Sequence, residues 1–409
     1  MKPYERFLEY LKIGTMSDRR STTRPSTMRL FNLAHLLAYE LKNLGLTDVE
    51  VTNHGIVYGR LPATPGFTDC PRIGFLAHMD TSPDFNGLEI HPQVIQNYDG
   101  ADVPLGTSGL TLRVSDFPHL ASLKGQTLIT TDGTSLLGAD DKAGIAEIIT
   151  ALEFIIQENI PHGEVDVAFV SDEEIGHGTE HFDPDRFGAQ FAYTVDGLEA
   201  GEIGYENFNA AELILIIHGK KAHTGFAKHH MVNANLVGIE INNLLPPAET
   251  PMDTDGREGF YHLNHSHGDV TEAMYVYEVR DFEESGLKNR IQTLTSLADQ
   301  MNEKYGDGTV SVTVRELYKN MRPITETCTH LIENARKAAI EAGVTPVTRP
   351  LRGGTVGAKL SYRGLPCPNL GVGGREYHGP FEYITAEDME LVSKILVNII
   401  KAYSQASFT

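Results

Sequence analysis

Between Arg72 and Gly197 short apolar runs alternate with stretches of helical periodicity. Ile73 to Ala77 leads into His78-Met79-Asp80, Val165 to Val170 into Ser171-Asp172-Glu173-Glu174, and Phe191 to Val195 into Asp196-Gly197. Apolar runs of this length that stop at polar residues read as buried strands. Between the first two lies Gly138-Ala139-Asp140-Asp141-Lys142-Ala143-Gly144, followed by Ile145, Ile148, Ile149, Leu152, Ile155 and Ile156 at helical spacing. This predicts a helix beginning beside the two aspartates. Strands alternating with helices make an α/β layer architecture. In such sheets ligands collect at the carboxyl ends of the strands, where loops converge and helix N-termini point. The acidic residues therefore stand where a site would be.

From Asn209 to Arg322 the pattern changes to strand, helix, strand, strand, helix, strand: Ala211 to His218, Val232 to Leu245, Gly259 to Leu263, Glu272 to Arg280, Glu284 to Tyr305 and Thr309 to Leu317. That order is the ferredoxin-like split βαβ arrangement. The α/β pattern then resumes with a helix near Thr325 to Ala342, a strand at Asn369 to Val372 and a closing helix from Ala386 to Tyr403. The expected fold is thus an α/β domain, its mixed central sheet flanked by helices, made of residues 1–208 and 323–409. A ferredoxin-like α+β domain, residues 209–322, is inserted in it.

A length of 409 residues agrees with two domains. The net charge of −21 argues against a nucleic-acid partner and an anionic membrane surface, both of which are held by clustered Lys and Arg. Cys70, Cys328 and Cys367 are far apart and show no CxxC spacing, which supports neither a disulfide framework nor a zinc knuckle and fits a reducing compartment. Lys2, Glu5, Arg6, Glu9, Lys12, Asp18, Arg19 and Arg20 interrupt any apolar signal core, and no later stretch has the length of a membrane span. A cytoplasmic protein is expected.

Two zinc ions bridged by a carboxylate need imidazole nitrogen and carboxylate oxygen together. His78, Asp140, Glu174, Asp196 and His378 are the candidates. Asp80, two residues after His78, is placed to receive the ring N–H that a metal does not use. Taken singly, adjacent acids such as Asp140-Asp141 or Glu173-Glu174 are more often a solvated face or a helix cap. Both pairs, however, follow apolar strands or open an apolar helix. His262, His265 and His267 with Asp269 fall between two strands of the inserted domain and read as a plain loop. Asp253-Thr254-Asp255-Gly256 reads as a turn.

HMDTSPD at His78 to Asp84, GADDKAG at Gly138 to Gly144, SDEEIG at Ser171 to Gly176 and VDG at Val195 to Gly197 form a first set of motifs. MVNA at Met231 to Ala234, EGFYHL at Glu258 to Leu263, RDF at Arg280 to Phe282, RGGT at Arg352 to Thr355, GLPCPNL at Gly364 to Leu370 and HGPFEYI at His378 to Ile384 complete it. With them the chain resembles, over nearly its whole length, the peptidase T group of tripeptide aminopeptidases. This group belongs to the dinuclear zinc exopeptidases, which also include aminoacylases and related carboxypeptidases and dipeptidases.

The resemblance implies two zinc ions per subunit: His78 and Asp196 on one, Glu174 and His378 on the other, and Asp140 bridging them. Glu173 would be the general base that takes the proton of an activated water, and the adjacency of Glu173 to Glu174 on a strand-end loop agrees with this. His223, after Lys220-Lys221-Ala222, would donate to the oxyanion. In related enzymes this histidine can come from a neighbouring subunit, so a homodimer stays open beside a monomer. Arg280 and Arg352 are cationic candidates for the terminal carboxylate of a short peptide substrate. Two positions depart from the family pattern: Val356 replaces the usual acidic residue after RGGT, and Thr224-Gly225 stands where Pro-Gly is commoner. Neither is a metal ligand. An N-acyl-amino-acid deacylase or dipeptidase with the same metals, and a catalytically silent metal- or peptide-binding relative, are the alternatives.

Overall fold

The three apolar runs that end on acids form neighbouring parallel strands, Val165–Val170, Ile73–His78 and Phe191–Gly197. In the computed structural model, which describes residues 1–405, they lie in the middle of an eight-stranded sheet. Its order is Thr47–Val51, Val57–Leu61, Val165–Val170, Ile73–His78, Phe191–Gly197, Asn369–Gly371, Glu202–Gly204, Val347–Thr348. Val57–Leu61 runs antiparallel to Val165–Val170, and Glu202–Gly204 antiparallel to Asn369–Gly371, so the sheet is mixed. Ile73–His78 and Val165–Val170 are buried at every position, as strands covered on both faces must be. The register sets His78 beside Val170, so the two strands stop level and deliver His78 and the Ser171–Glu174 loop to the same end.

The predicted helix is Ala139–Gln157, and it packs on Pro3–Leu11, on Ala386–Gln405 and on the Ile73–His78 strand. Gly144 allows its close approach to the sheet, because a Cβ there would collide with the Val195 carbonyl. Asp140 (φ −83°, ψ 99°) and Asp141 (φ −127°, ψ 31°) are not helical, so the first turn opens out and presents both carboxylates. A three-stranded sheet of Ile384–Thr385, Leu128–Thr131 and Pro92–Ile95 adjoins a small satellite core of Tyr98, Leu105, Leu112, Leu120 and Tyr383. The hydrophobic pattern alone assigns no element to this region.

The chain separates into two compact units, one of Met1–Tyr205, Pro323–Arg349 and the chain from Lys359 onward, the other of Glu206–Arg322 with Pro350–Ala358. The second unit has the strand order Phe260–Gly268, Glu272–Asp281, Asn209–His218, Val310–Tyr318, all antiparallel. Numbered along the unit this is 2-3-1-4, the ferredoxin-like order. One sheet face, with Leu213, Leu215, Ile217, Tyr275, Tyr277 and Val279, is buried with Leu294 and Met301 of Glu284–Tyr305 and Val237 and Ile241 of Ala234–Leu244. Alternate residues on the same strands, among them Ile214, Ile216, Met274 and Val276, are only half-buried.

Two sequence expectations are corrected in this unit. The strand expected to stop at Leu263 continues to Gly268, with a bulge between Leu263 and His265, so His265 and His267 are strand residues and not loop. Strong pairing with Glu272–Asp281 outweighs the weak strand preference of Asn264 and the histidines. Residues 350–358, expected in the closing part of the α/β domain, cluster with the second unit. Arg352 is the reason: its guanidinium donates to the carbonyls of Thr254, Gly256 and Glu258 and stacks on Phe208 and Phe260.

Lys142 is completely buried, its Nζ donating to the Ile13 carbonyl at 2.7 Å. Burial lowers its pKa from 10.5 to about 7. A lysine depressed in the folded state destabilises it below the folded pKa, and the penalty is relieved as pH rises from about 7 toward 10.5. Lys142→Met should therefore be more stable than the parent at pH 7, and the difference should shrink toward pH 10. Denaturant unfolding of the chelated protein at pH 7, 8, 9 and 10 measures it; a parent that is the more stable at pH 7 contradicts this reading.

Candidate metal centre

His78 ends its strand with the ring almost fully buried. Its Nε2 is 2.8 Å from Asp140 Oδ1 and 3.4 Å from Asp196 Oδ1. On the other side Nδ1 is 2.9 Å from the Asp80 carbonyl and 3.6 Å from Asp80 Oδ1. The ring proton is therefore taken by the backbone of Asp80, not by its carboxylate as the sequence suggested. The carboxylate is engaged elsewhere, with Oδ1 accepting from the Glu173 N–H at 3.0 Å and Oδ2 from the Glu174 N–H at 3.2 Å. Asp80 thus ties the Glu173-Glu174 loop to the His78 strand end.

His378 reaches the same cluster from the far end of the sequence. Its Nε2 is 3.2 Å from Asp140 Oδ2 and 3.1 Å from Glu174 Oε2, and its Nδ1 is 3.4 Å from Asp84 Oδ2. Glu376 (φ 56°) and His378 (φ 66°) both take left-handed backbone, which costs a non-glycine residue about 1–3 kcal/mol. The turn is held against this by paired backbone bonds between Arg375 and Tyr383 and by the Tyr377 hydroxyl donating to the Gly197 carbonyl at 2.8 Å. All five expected ligands, His78, Asp140, Glu174, Asp196 and His378, are brought together in the first unit, with Asp80 and Glu173 beside them.

Two residues that the sequence pattern does not single out belong to the same centre. Asp141 accepts from the His78 backbone N–H through Oδ2 at 3.0 Å, and its side chain groups with His78 and Asp196, as Asp140 and Glu174 group with His78, closely enough to hold a metal ion. Glu382 is buried and accepts from the N–H groups of Leu137 at 2.7 Å, Gly138 at 2.9 Å and Asp140 at 3.2 Å. It fixes the loop that carries Asp140. Asp141 is visible in the sequence only as half of an adjacent pair, and Glu382 only as the acid inside HGPFEYI.

The electrostatics follow from crowding carboxylates in a dry place. Burial drives the Glu173 carboxyl up to about 8, and Asp196 and Glu174 push the same way. Burial and then Asp140 bring Glu174 to about 7. Asp140 goes the other way: burial acts to raise it, but hydrogen bonds from His378 and His78 hold it well below the usual carboxylate range. Hydrogen bonds to Asp140 and Glu174 lift His378 to about 11. Fully ionised, the set would carry more negative charge than two imidazolium rings neutralise, and these upward shifts are the response. Asp141 Oδ1 and Glu174 Oε1 are buried without any hydrogen-bond partner. Imidazole nitrogens, clustered carboxylates and orphaned oxygens are together the donor chemistry of a divalent metal site.

The other three expected site residues lie in the second unit. His223 is exposed; its Nδ1 accepts from the Gly225 N–H at 3.2 Å, which leaves the proton of the neutral ring on Nε2. Arg280 donates to Glu278 through Nε at 2.8 Å and to the Arg352 carbonyl through Nη1 at 2.7 Å. Arg352 is engaged by the 254–258 carbonyls, so both guanidinium groups are half-buried and held in place by their own unit. Val356 is buried. An acid there would have to be buried too.

Comparison with known proteins places the chain in a family. The model of the family Peptidase family M20/M25/M40 matches residues 136–402. Proteins named Peptidase T are 47% identical in Clostridium perfringens (strain SM101 / Type A), over 99% of this chain and 99% of theirs, and 49% identical in Desulfitobacterium hafniense (strain DSM 10664 / DCB-2), over 98% of each. Among solved structures, aminopeptidase PepT from Bacillus cereus superimposes with a TM-score of 0.77 at 24% identity, covering 99% of this chain and 98% of that one. A tripeptidase from Staphylococcus aureus gives 0.78 at 22%, with the same coverage. A dinuclear metal binding peptidase of the M20 family from Bacillus subtilis gives 0.65 at 13%, covering 98% and 97%. With a family model spanning well over half of its length and relatives near half identical from end to end, the chain belongs to peptidase family M20/M25/M40.

Proposed function

We propose that this peptidase is a two-zinc aminopeptidase that releases the N-terminal residue of short peptides, tripeptides above all, in the cytoplasm. The observation that carries the reading is the position of Asp140, whose two oxygens face two different imidazoles, His78 at 2.8 Å and His378 at 3.2 Å. A carboxylate so placed can be shared by two ions. His78 and Asp196 would hold one, Glu174 and His378 the other, with Asp141 close to the first. Such ions supply Lewis-acid activation of water and of the peptide carbonyl. The names of the relatives of nearly equal length and of the tripeptidase neighbour support the substrate class. The three free cysteines and the lack, among the described residues, of a helix long and apolar enough to cross a membrane are compatible with the cytoplasm.

Glu173 receives the proton of the attacking water and returns one to the leaving amine. It is held for this by Asp80, which fixes its backbone N–H. His223 donates through Nε2–H to the developing oxyanion, its tautomer set by Gly225. Arg280 and Arg352 take the terminal carboxylate of the peptide, which for Arg280 means exchanging its Glu278 partner.

Glu173→Ala should lower kcat by about 10²–10⁴ with bound zinc unchanged. Parallel assays of turnover and metal content decide this, and full activity in the variant removes Glu173 as the base. A panel of di-, tri- and tetrapeptides, free and N-acetylated, should show hydrolysis fastest on free tripeptides and abolished by chelation. Cleavage that survives removal of all metal refutes the proposal, and preference for the acetylated members turns it into a deacylase. Because His378 is held protonated up to about 11 by Asp140 and Glu174, zinc must displace its proton. Zinc binding should therefore release protons and tighten as pH rises from 6 to 8; calorimetry in buffers of different ionisation enthalpy measures the release.

A further inference from the structure

The histidines of the second unit's edge strand, His262 half-buried and His265 and His267 exposed, are outside the cluster of the first. Along a regular strand His262 and His265 would point to opposite faces, since side chains alternate. The extra residue at Asn264 reverses this: the register pairs His262 with Glu278, His265 with Val276 and His267 with Met274. Those partners alternate with Ala273, Tyr275, Tyr277 and Val279, which point into the helix-covered core. The bulge therefore collects three histidines on the open face of one strand. Two of them meet: His265 Nε2 is 3.2 Å from His267 Nδ1, and the ring centroids are 5.3 Å apart.

We infer that His265 and His267 form a second metal site, a two-histidine chelate for a borderline transition cation such as Zn2+, Ni2+ or Cu2+. Two nitrogens bound to one ion at about 2.0–2.1 Å lie roughly 2.9–3.4 Å apart for angles between square and tetrahedral. The observed 3.2 Å separation falls inside that range. Imidazole selects this class of cation over Mg2+ and Ca2+, which require oxygen. The strand fixes the backbone of both residues, paired residue by residue to Glu272–Asp281, and the two rings already face each other, so chelation has only side-chain rotation left to order. Both rings are exposed, which leaves the remaining coordination positions to water. His262, on the same face, stands next along the strand.

Equilibrium dialysis of the full-length protein against zinc chloride, with metal counted by plasma mass spectrometry, tests this. The parent should retain one zinc more than either His265→Asn or His267→Asn in the micromolar range of free zinc, with affinity for that ion falling about tenfold or more when one ligand is lost. His229→Asn and His230→Asn, which change exposed histidines elsewhere in the unit, should keep the full count. Peptide hydrolysis should be the same in all four variants. Equal zinc counts in the parent and both strand variants overturn the inference. So does loss of hydrolysis together with the ion, because the missing zinc would then belong to the His78 cluster. Dialysis against nickel chloride repeats the comparison independently of any catalytic zinc, and the difference should reappear there.

Discussion

The first unit is organised around one carboxylate held between two imidazoles. Asp140 stays ionised in a buried place only because His78 and His378 both donate to it, and His378 reaches it through a backbone turn that is unfavourable by itself. Glu174, Asp196 and Asp141 then crowd the same space, where burial first and the Asp140 charge after it raise their protonation. Left alone, such a cluster destabilises the fold; with divalent ions it becomes an attractive array. The geometry is therefore that of a site built for charge the chain does not itself provide.

Holding these groups in place falls to residues that need not touch a metal. Asp80 satisfies two successive N–H groups of the Glu173-Glu174 loop, and Glu382 satisfies three in the loop leading to Asp140. Each is a buried acid whose oxygens are filled by backbone donors, an arrangement that fixes loop conformation more tightly than packing would. The parallel strands supply the coarse placement, since Ile73–His78 and Val165–Val170 end level. The tethers supply the fine placement of the Glu173-Glu174 loop and of Asp140.

Much of this is legible in the sequence because it rests on local pattern. Apolar runs ending at His78, Ser171 and Asp196 announce parallel strands, and strands in such sheets deliver their last residues to a common edge. The helix Glu284–Tyr305 follows to the residue from its periodicity. What the pattern misses depends on long-range pairing. Nothing local in Asn264-His265-Ser266-His267 favours a strand; it is the partner Glu272–Asp281 that makes one. Arg352 draws 350–358 to the second unit through carbonyls nearly a hundred residues earlier. Spacing suggests that Asp80 uses its carboxylate on His78, but its backbone serves that ring, a choice that only loop geometry decides. Asp141 and Glu382 stay hidden because an acid's neighbours in sequence do not reveal which N–H groups it will face.

The route of the chain also sets an order of assembly. It passes between the units four times, at 205/206, 322/323, 349/350 and 358/359. The last member of the cluster, His378, and the tether Glu382 are made after all four passages, and the Ala386–Gln405 helix that packs on Ala139–Gln157 later still. During synthesis, then, His78, Asp140, Glu174 and Asp196 leave the ribosome long before the residues that complete their surroundings. A nascent chain offers at most part of the cluster, and the whole set of facing side chains can form only after Glu382 has emerged, by which time the segments of the second unit have already been made.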